Sequence, residues 1–174
     1  MKDAMTPLIL PLVLAVALLG APSAGAADAR LPSFEAVDID ASPVRGDELG
    51  QGGNWLLAVI DGGLPSARRF LDALGSKNER FGSNVVILVV GSAEQVNALR
   101  HAYSDLGQVR WLRSQNPALL GELGLTGVPA RIALHADGRI ASRRAGLGRT
   151  PDEVARQVRA WAGSIATVTN DEAR

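Results

Sequence analysis

Few residues of this 174-residue chain could do chemistry. It has no cysteine, hence no disulfide, no thiolate nucleophile and no thiolate metal ligand. The histidines are His101 and His135, distant in sequence and without a ligand cluster around either, which argues against a metal site. Met1 and Met5 lie in the N-terminal segment, leaving the remainder without a soft thioether ligand. No cofactor is expected. The stretch built like a reactive corner is Asp61-Gly62-Gly63-Leu64-Pro65-Ser66-Ala67, directly after the apolar run Trp55 to Ile60. Ser66 offers a hydroxyl, but an alcohol needs a base within hydrogen-bond reach to become a nucleophile. Asp61 is the nearest candidate and reads better as a solvated turn residue. The glycine pair could present amides to an anion. It lacks the lysine and hydroxyl of a nucleotide-binding loop, however, and Asp61 would repel the charge; an ordinary flexible turn is expected.

The corner needs a strand before it and a helix after it. Trp55–Ile60 and Val85–Val90 are continuously apolar, which fits strands covered on both faces. Phe34–Ile39 alternates like a half-exposed strand. Pro65 suits a first helical position, with Phe70, Leu71 and Leu74 on one face. Ser92 with Gln95 reads as a capping box opening a helix through Leu99 and Tyr103. Asn116-Pro117 starts a short helix with Leu119, Leu120 and Leu123 inward. Asp137-Gly138 marks a hairpin between Ala130–Leu134 and Arg139–Arg143. Thr150 with Glu153 reads as a second capping box, opening a helix on which Val154, Val158, Trp161 and Ile165 share a face. Helices alternating with buried strands, then an antiparallel pair, predict an α/β architecture with a central mixed sheet flanked by helices.

Composition narrows the function classes. The chain is 47% hydrophobic and 21% charged, with 18 basic residues against 18 acidic ones. That is globular composition, and it lacks the basic excess with which a nucleic-acid binder neutralises phosphates. Arg131, Arg139, Arg143, Arg144, Arg149, Arg156 and Arg159 read as solvated charges offset by Asp152 and Glu153. A docking patch of Arg143, Arg144 and Arg149 is the alternative. Residues 1–26 read as a secretory signal, with an apolar stretch and cleavage after Ala24-Gly25-Ala26. An uncleaved anchor is the alternative, since no charge occurs between Ala4 and Ala27 and that span could cross a bilayer. Residues 27–166 are expected to form one domain and 167–174 a flexible tail. Export to the periplasm, or secretion, is expected either way, with inner-membrane anchoring the variant if cleavage fails.

Four stretches carry a family likeness. LPSFEAVDIDASPV (31–44), LLAVIDGGLPSAR (56–68), LGLTGVPARIALHADGRI (123–140) and Gly146 followed by TPDEVARQVRAW resemble, in order and spacing, the exported TlpA-type thioredoxins. The resemblance implies a thioredoxin-like fold. It also aligns the corner with the family's W-C-P-x-C-R pattern: Gly63 on the tryptophan, Leu64 on the attacking cysteine, Pro65 on the proline, Ala67 on the resolving cysteine and Arg68 on the arginine. Ala58 takes the place of a buried polar group that assists proton transfer. Both thiols are therefore absent, and no disulfide chemistry or other catalysis is expected. Gly127-Val128-Pro129 resembles the family's cis-proline loop, which faces the thiol corner and pairs with an extended client segment. The resemblance implies a binding site of Gly63, Leu64, Pro65, Ser66, Ala67, Gly127, Val128 and Pro129 for a protein or extended peptide partner. A proline retained only to shape its loop is the plain alternative. Binding or scaffolding in a periplasmic redox or assembly system is the favoured reading. An enzyme whose partner supplies the thiols, and a structural subunit of an envelope complex, are the others.

Overall fold

The structure is a computed structural model and describes residues 29–50, 52–76 and 79–163. The N-terminal segment read as a signal, the C-terminal tail and Ile165 lie outside these residues. The elements run β1 (Glu35–Val37), β2 (Pro43–Arg45), β3 (Trp55–Asp61), α1 (Pro65–Leu74), β4 (Val85–Val90), α2 (Ala93–Ala102), β5 (Arg110–Ser114), α3 (Leu119–Glu122), β6 (Ala130–Leu134), β7 (Ile140–Ala145) and α4 (Pro151–Ala162). The strands form one sheet in the order β2-β1-β5-β4-β3-β6-β7. β3, β4 and β5 are parallel; the remaining pairings are antiparallel. This is the mixed, helix-flanked sheet expected from the order of elements.

The apolar runs have a direct cause in the layers. Along β3, Leu56, Ala58 and Ile60 face a core completed by Phe70, Leu71 and Leu74 of α1, Val96 and Leu99 of α2, and Val154 and Val158 of α4. Leu57 and Val59 face the opposite core, with Leu88, Leu112, Ile132, Leu119, Leu123 and Phe34. A strand covered on both faces has no solvent side on which a polar residue would be tolerated. Two parallel crossovers, β3-α1-β4 and β4-α2-β5, of the same hand place α1 and α2 on one face; α3 lies on the other.

Several local expectations hold and two are corrected. The Ser92 box closes: Gln95 N donates to Ser92 Oγ at 3.2 Å and Ser92 N to Gln95 Oε1 at 2.8 Å. β1 is shorter than its alternation suggests, because Asp38 Oδ1 accepts from Asp40 N and Ser42 N, both at 2.9 Å, and turns the chain there. Ile39 is left 49% exposed. The box at Thr150 does not close. Glu153 N is taken by the Thr150 carbonyl at 3.1 Å and the Thr150 side chain makes no cap bond, while the Glu153 carboxylate accepts from Arg149 N at 2.6 Å. α4 is anchored at its other end, where Trp161 Nε1 donates to the carbonyls of Trp55 (3.0 Å) and Leu134 (3.2 Å). Among the described residues no helix is long and apolar enough to cross a membrane.

Two measurements follow from this packing. Leu88, fully buried in the central strand β4, should cost about 2–5 kcal/mol when truncated to alanine, read as a shift in urea midpoint at constant slope. The Arg149 N–H, above all, holds the Glu153 carboxyl below its ordinary pKa. Its stabilisation is therefore complete above the ordinary carboxylate range and is lost as pH falls through the lower folded value. The substitution E153Q should flatten that acid limb in urea unfolding between neutral and acid pH; an unchanged limb would refute a stabilising role for the Glu153–Arg149 contact.

Candidate functional site

The corner forms where β3 runs out of partners. Gly62 N still extends the ladder to Val90 O at 2.9 Å, after which Leu64 N turns back to Asp61 O at 3.1 Å. Asp61 Oδ1 accepts from Gly63 N at 2.8 Å, so this carboxylate is a turn residue, as its position suggests. The glycine pair is not a loose turn. A Cβ on Gly62 would sit 3.0 Å from Gln95 Cβ and 3.1 Å from Val89 Cγ1. The capped start of α2 is packed against the corner, and a side chain at Gly62 would require Gln95 and Val89 to give way by a few tenths of an ångström.

Leu64 is the N-cap of α1, in extended conformation and without a side-chain cap bond, and Pro65 opens the helix. Where a small polar residue would satisfy the free amides of the first turn, this chain has a leucine that is 46% exposed. Ser66 is half-buried, and Ala67, one turn on, is 1% exposed. The first position is open and the fourth is covered, so the backbone keeps the asymmetry that an attacking and a resolving group would need, with hydrocarbon in both. No hydrogen bond joins Ser66 to Asp61 or to any other side chain among the described residues.

The second loop arrives at the same sheet end. β3 and β6 are antiparallel with Val59 opposite Ala130, so the exit of β3 towards Asp61 and Leu64 lies beside the entry of β6 through Gly127, Val128 and Pro129. The Val128–Pro129 bond is cis. Pro129 is buried, while Gly127 and Val128 are half-buried. Pro129 O accepts from Gly146 N at 2.7 Å, which ties the loop to the end of β7. The backbone of Val128 makes no hydrogen bond to another described residue.

Ala58 is fully buried, and its cross-strand partner is Arg131. Arg131 corrects the reading of the arginines as solvated charges: it is 4% exposed, with its guanidinium carbon 5.9 Å from the centre of the Phe70 ring. Burial, above all, lowers its pKa; the field of Glu153 opposes this and that of Arg144 reinforces it. One signal could have revealed it. In Ala130–Leu134 it is the lone charge inside a short apolar run, and strand register aims it at the face of Ala58. The histidines stay apart: His101 is exposed on α2, and His135 packs edge-on against Trp161 with ring centres 5.2 Å apart. Among the described residues no group of three His, Cys, Asp or Glu side chains is placed to hold a metal ion.

No family model matches the sequence, and no curated protein matches it. Solved structures do. The thioredoxin domain of a thiol-disulfide oxidoreductase from Bacteroides vulgatus aligns with a TM-score of 0.58 at 16% identity, covering 79% of this chain and 98% of that one. Peroxidoxin BcpB from Mycobacterium tuberculosis gives 0.59 at 11% identity, covering 78% and 95%. A secreted M. tuberculosis disulfide oxidoreductase homologous to E. coli DsbE gives 0.52 at 18% identity, covering 73% and 95%. Likeness at such identities establishes the fold. The protein has a thioredoxin-like fold and no cysteine.

If the corner has kept its backbone and lost only its sulfur, chemistry should be restorable. The double variant L64C/A67C should form an intramolecular disulfide and accelerate insulin reduction by a dithiol, because a thiol at a helix N-terminus is acidified. The wild-type chain should leave the no-protein rate unchanged. Failure of the variant to form its disulfide would show that the corner is no longer built for exchange.

Proposed function

We propose that this protein is an exported, non-catalytic relative of the TlpA-type thiol-disulfide oxidoreductases. In this reading it holds an extended polypeptide of a periplasmic redox or assembly system at the corner between Leu64 and Pro129. The observation that carries it is a stretch of unpaired loop backbone beside exposed hydrocarbon. The Val128 backbone offers a donor and an acceptor that the described residues leave unpaired, and Leu64, on the neighbouring loop, is one of two large exposed hydrophobic residues among those described. An extended segment added along Val128 would gain main-chain hydrogen bonds from one loop and apolar contact from the other, the division of labour of β-strand addition. With Leu64 and Ala67 in place of thiols, such a complex has no covalent stage, and its lifetime is set by non-covalent contacts alone.

A photo-crosslinking residue placed at position 64 should trap one defined polypeptide in periplasmic extract. The substitution V128D should lower that yield about tenfold or more, since a carboxylate at the pairing edge would have to be desolvated. A yield indifferent to V128D would remove the loop from the binding site.

A further inference from the structure

On the helical face of the sheet, between α4 and the β6–β7 pair, lies a cavity of about 230 Å³. One end is formed by cross-strand partners Arg131 and Arg144. The other end is lined by hydrocarbon from Ala133, Ala160 and the Trp161 ring. Two arginines directly opposite each other on one sheet face are a destabilising arrangement by themselves, and no carboxylate forms an ion pair with either among the described residues. Arg131 Nη1 donates to Gly146 O at 3.3 Å, whereas its Nε–H is buried with no partner. A buried donor on a charged group left unmade is costly. Small residues at 133 and 160 leave the space beside Arg131 open.

From these features we propose that the cavity is a binding site for a small monocarboxylate with an apolar body, its carboxylate held between Arg131 and Arg144. The chemistry follows from each wall. Arginine pairs with a carboxylate through directed, charge-assisted bonds, and a second guanidinium opposite completes a fork around the anion. The volume is below the roughly 300–1,000 Å³ of pockets for drug-sized ligands, so the ligand is small. The apolar end beside Trp161 takes a ring or short alkyl group. Gln157, whose Nε2 donates to Glu153 Oε1 at 2.7 Å, lines the wall on the α4 side. Entry is from the side of β7, where Ser142 and Arg144 are exposed.

Benzoate and its neutral isostere benzamide, titrated into the purified protein at constant ionic strength, test the assignment by thermal shift and calorimetry. Benzoate should raise the unfolding midpoint and bind with measurable heat, and benzamide should do neither. R131M, which keeps the volume and removes the charge, should abolish binding, while R144Q should weaken it about tenfold or more. R144Q changes an exposed residue and decides between the outcomes should R131M fail to fold. Equal responses to benzoate and benzamide, no response to benzoate, or an R144Q titration matching the wild type would each overturn the assignment.

Discussion

The fully buried strand β3 positions everything else. Its six residues from Trp55 to Ile60 are hydrocarbon on both faces, clasped in register by β4 on one edge and β6 on the other. Burial on both sides fixes the register, because a slip by one residue would exchange the sets facing the two cores. A fixed register in turn fixes where the strand ends. Asp61, the corner, the first turn of α1 and the cis-proline loop opposite are thus brought to one end of the sheet by apolar packing, and local hydrogen bonds such as Gly63 N to Asp61 Oδ1 and Gly146 N to Pro129 O complete the turns there.

This separation makes the corner's backbone independent of which side chains stand at Leu64 and Ala67. A helix N-terminus has its partial charge and free amides whatever residue stands first. Leu64 and Ala67 offer nothing to ionise there, and the turn that presents them is built all the same. The glycine pair shows the same logic from below, since it is held by the capping box of α2 pressing through Gln95. The tip thus keeps its turn geometry with no thiol in it.

Arg131 stands against the general trend of the core. Replacing a buried charge by hydrocarbon is commonly neutral or stabilising, so its presence opposite Ala58, beneath Phe70 and beside Arg144, does not follow from stability. Its position also links the two regions of interest: the strand that carries it begins immediately after Pro129, and the carbonyl that accepts from it belongs to Gly146, whose N–H binds Pro129 O. Charge in the α4 cavity and the geometry of the proline loop therefore share one short piece of backbone.

The sequence by itself determined the element order, the two doubly covered strands, the hairpin at Asp137-Gly138 and the cap at Ser92, because each depends on local pattern: periodicity, turn chemistry and a side chain reaching three residues along. It also determined that no thiol chemistry resides here, since a missing cysteine is a fact of composition. Tertiary structure decided what distant residues do to one another. Whether a side chain fits at Gly62 depends on Gln95, on a different helix; whether Thr150 caps its helix depends on which oxygen the Glu153 N–H meets. Whether Arg131 is solvated depends on a cross-strand partner and on a helix far along the chain. Burial and pairing across a sheet are properties of register and layer, and a single charged letter in a strand carries neither until its neighbours are in place.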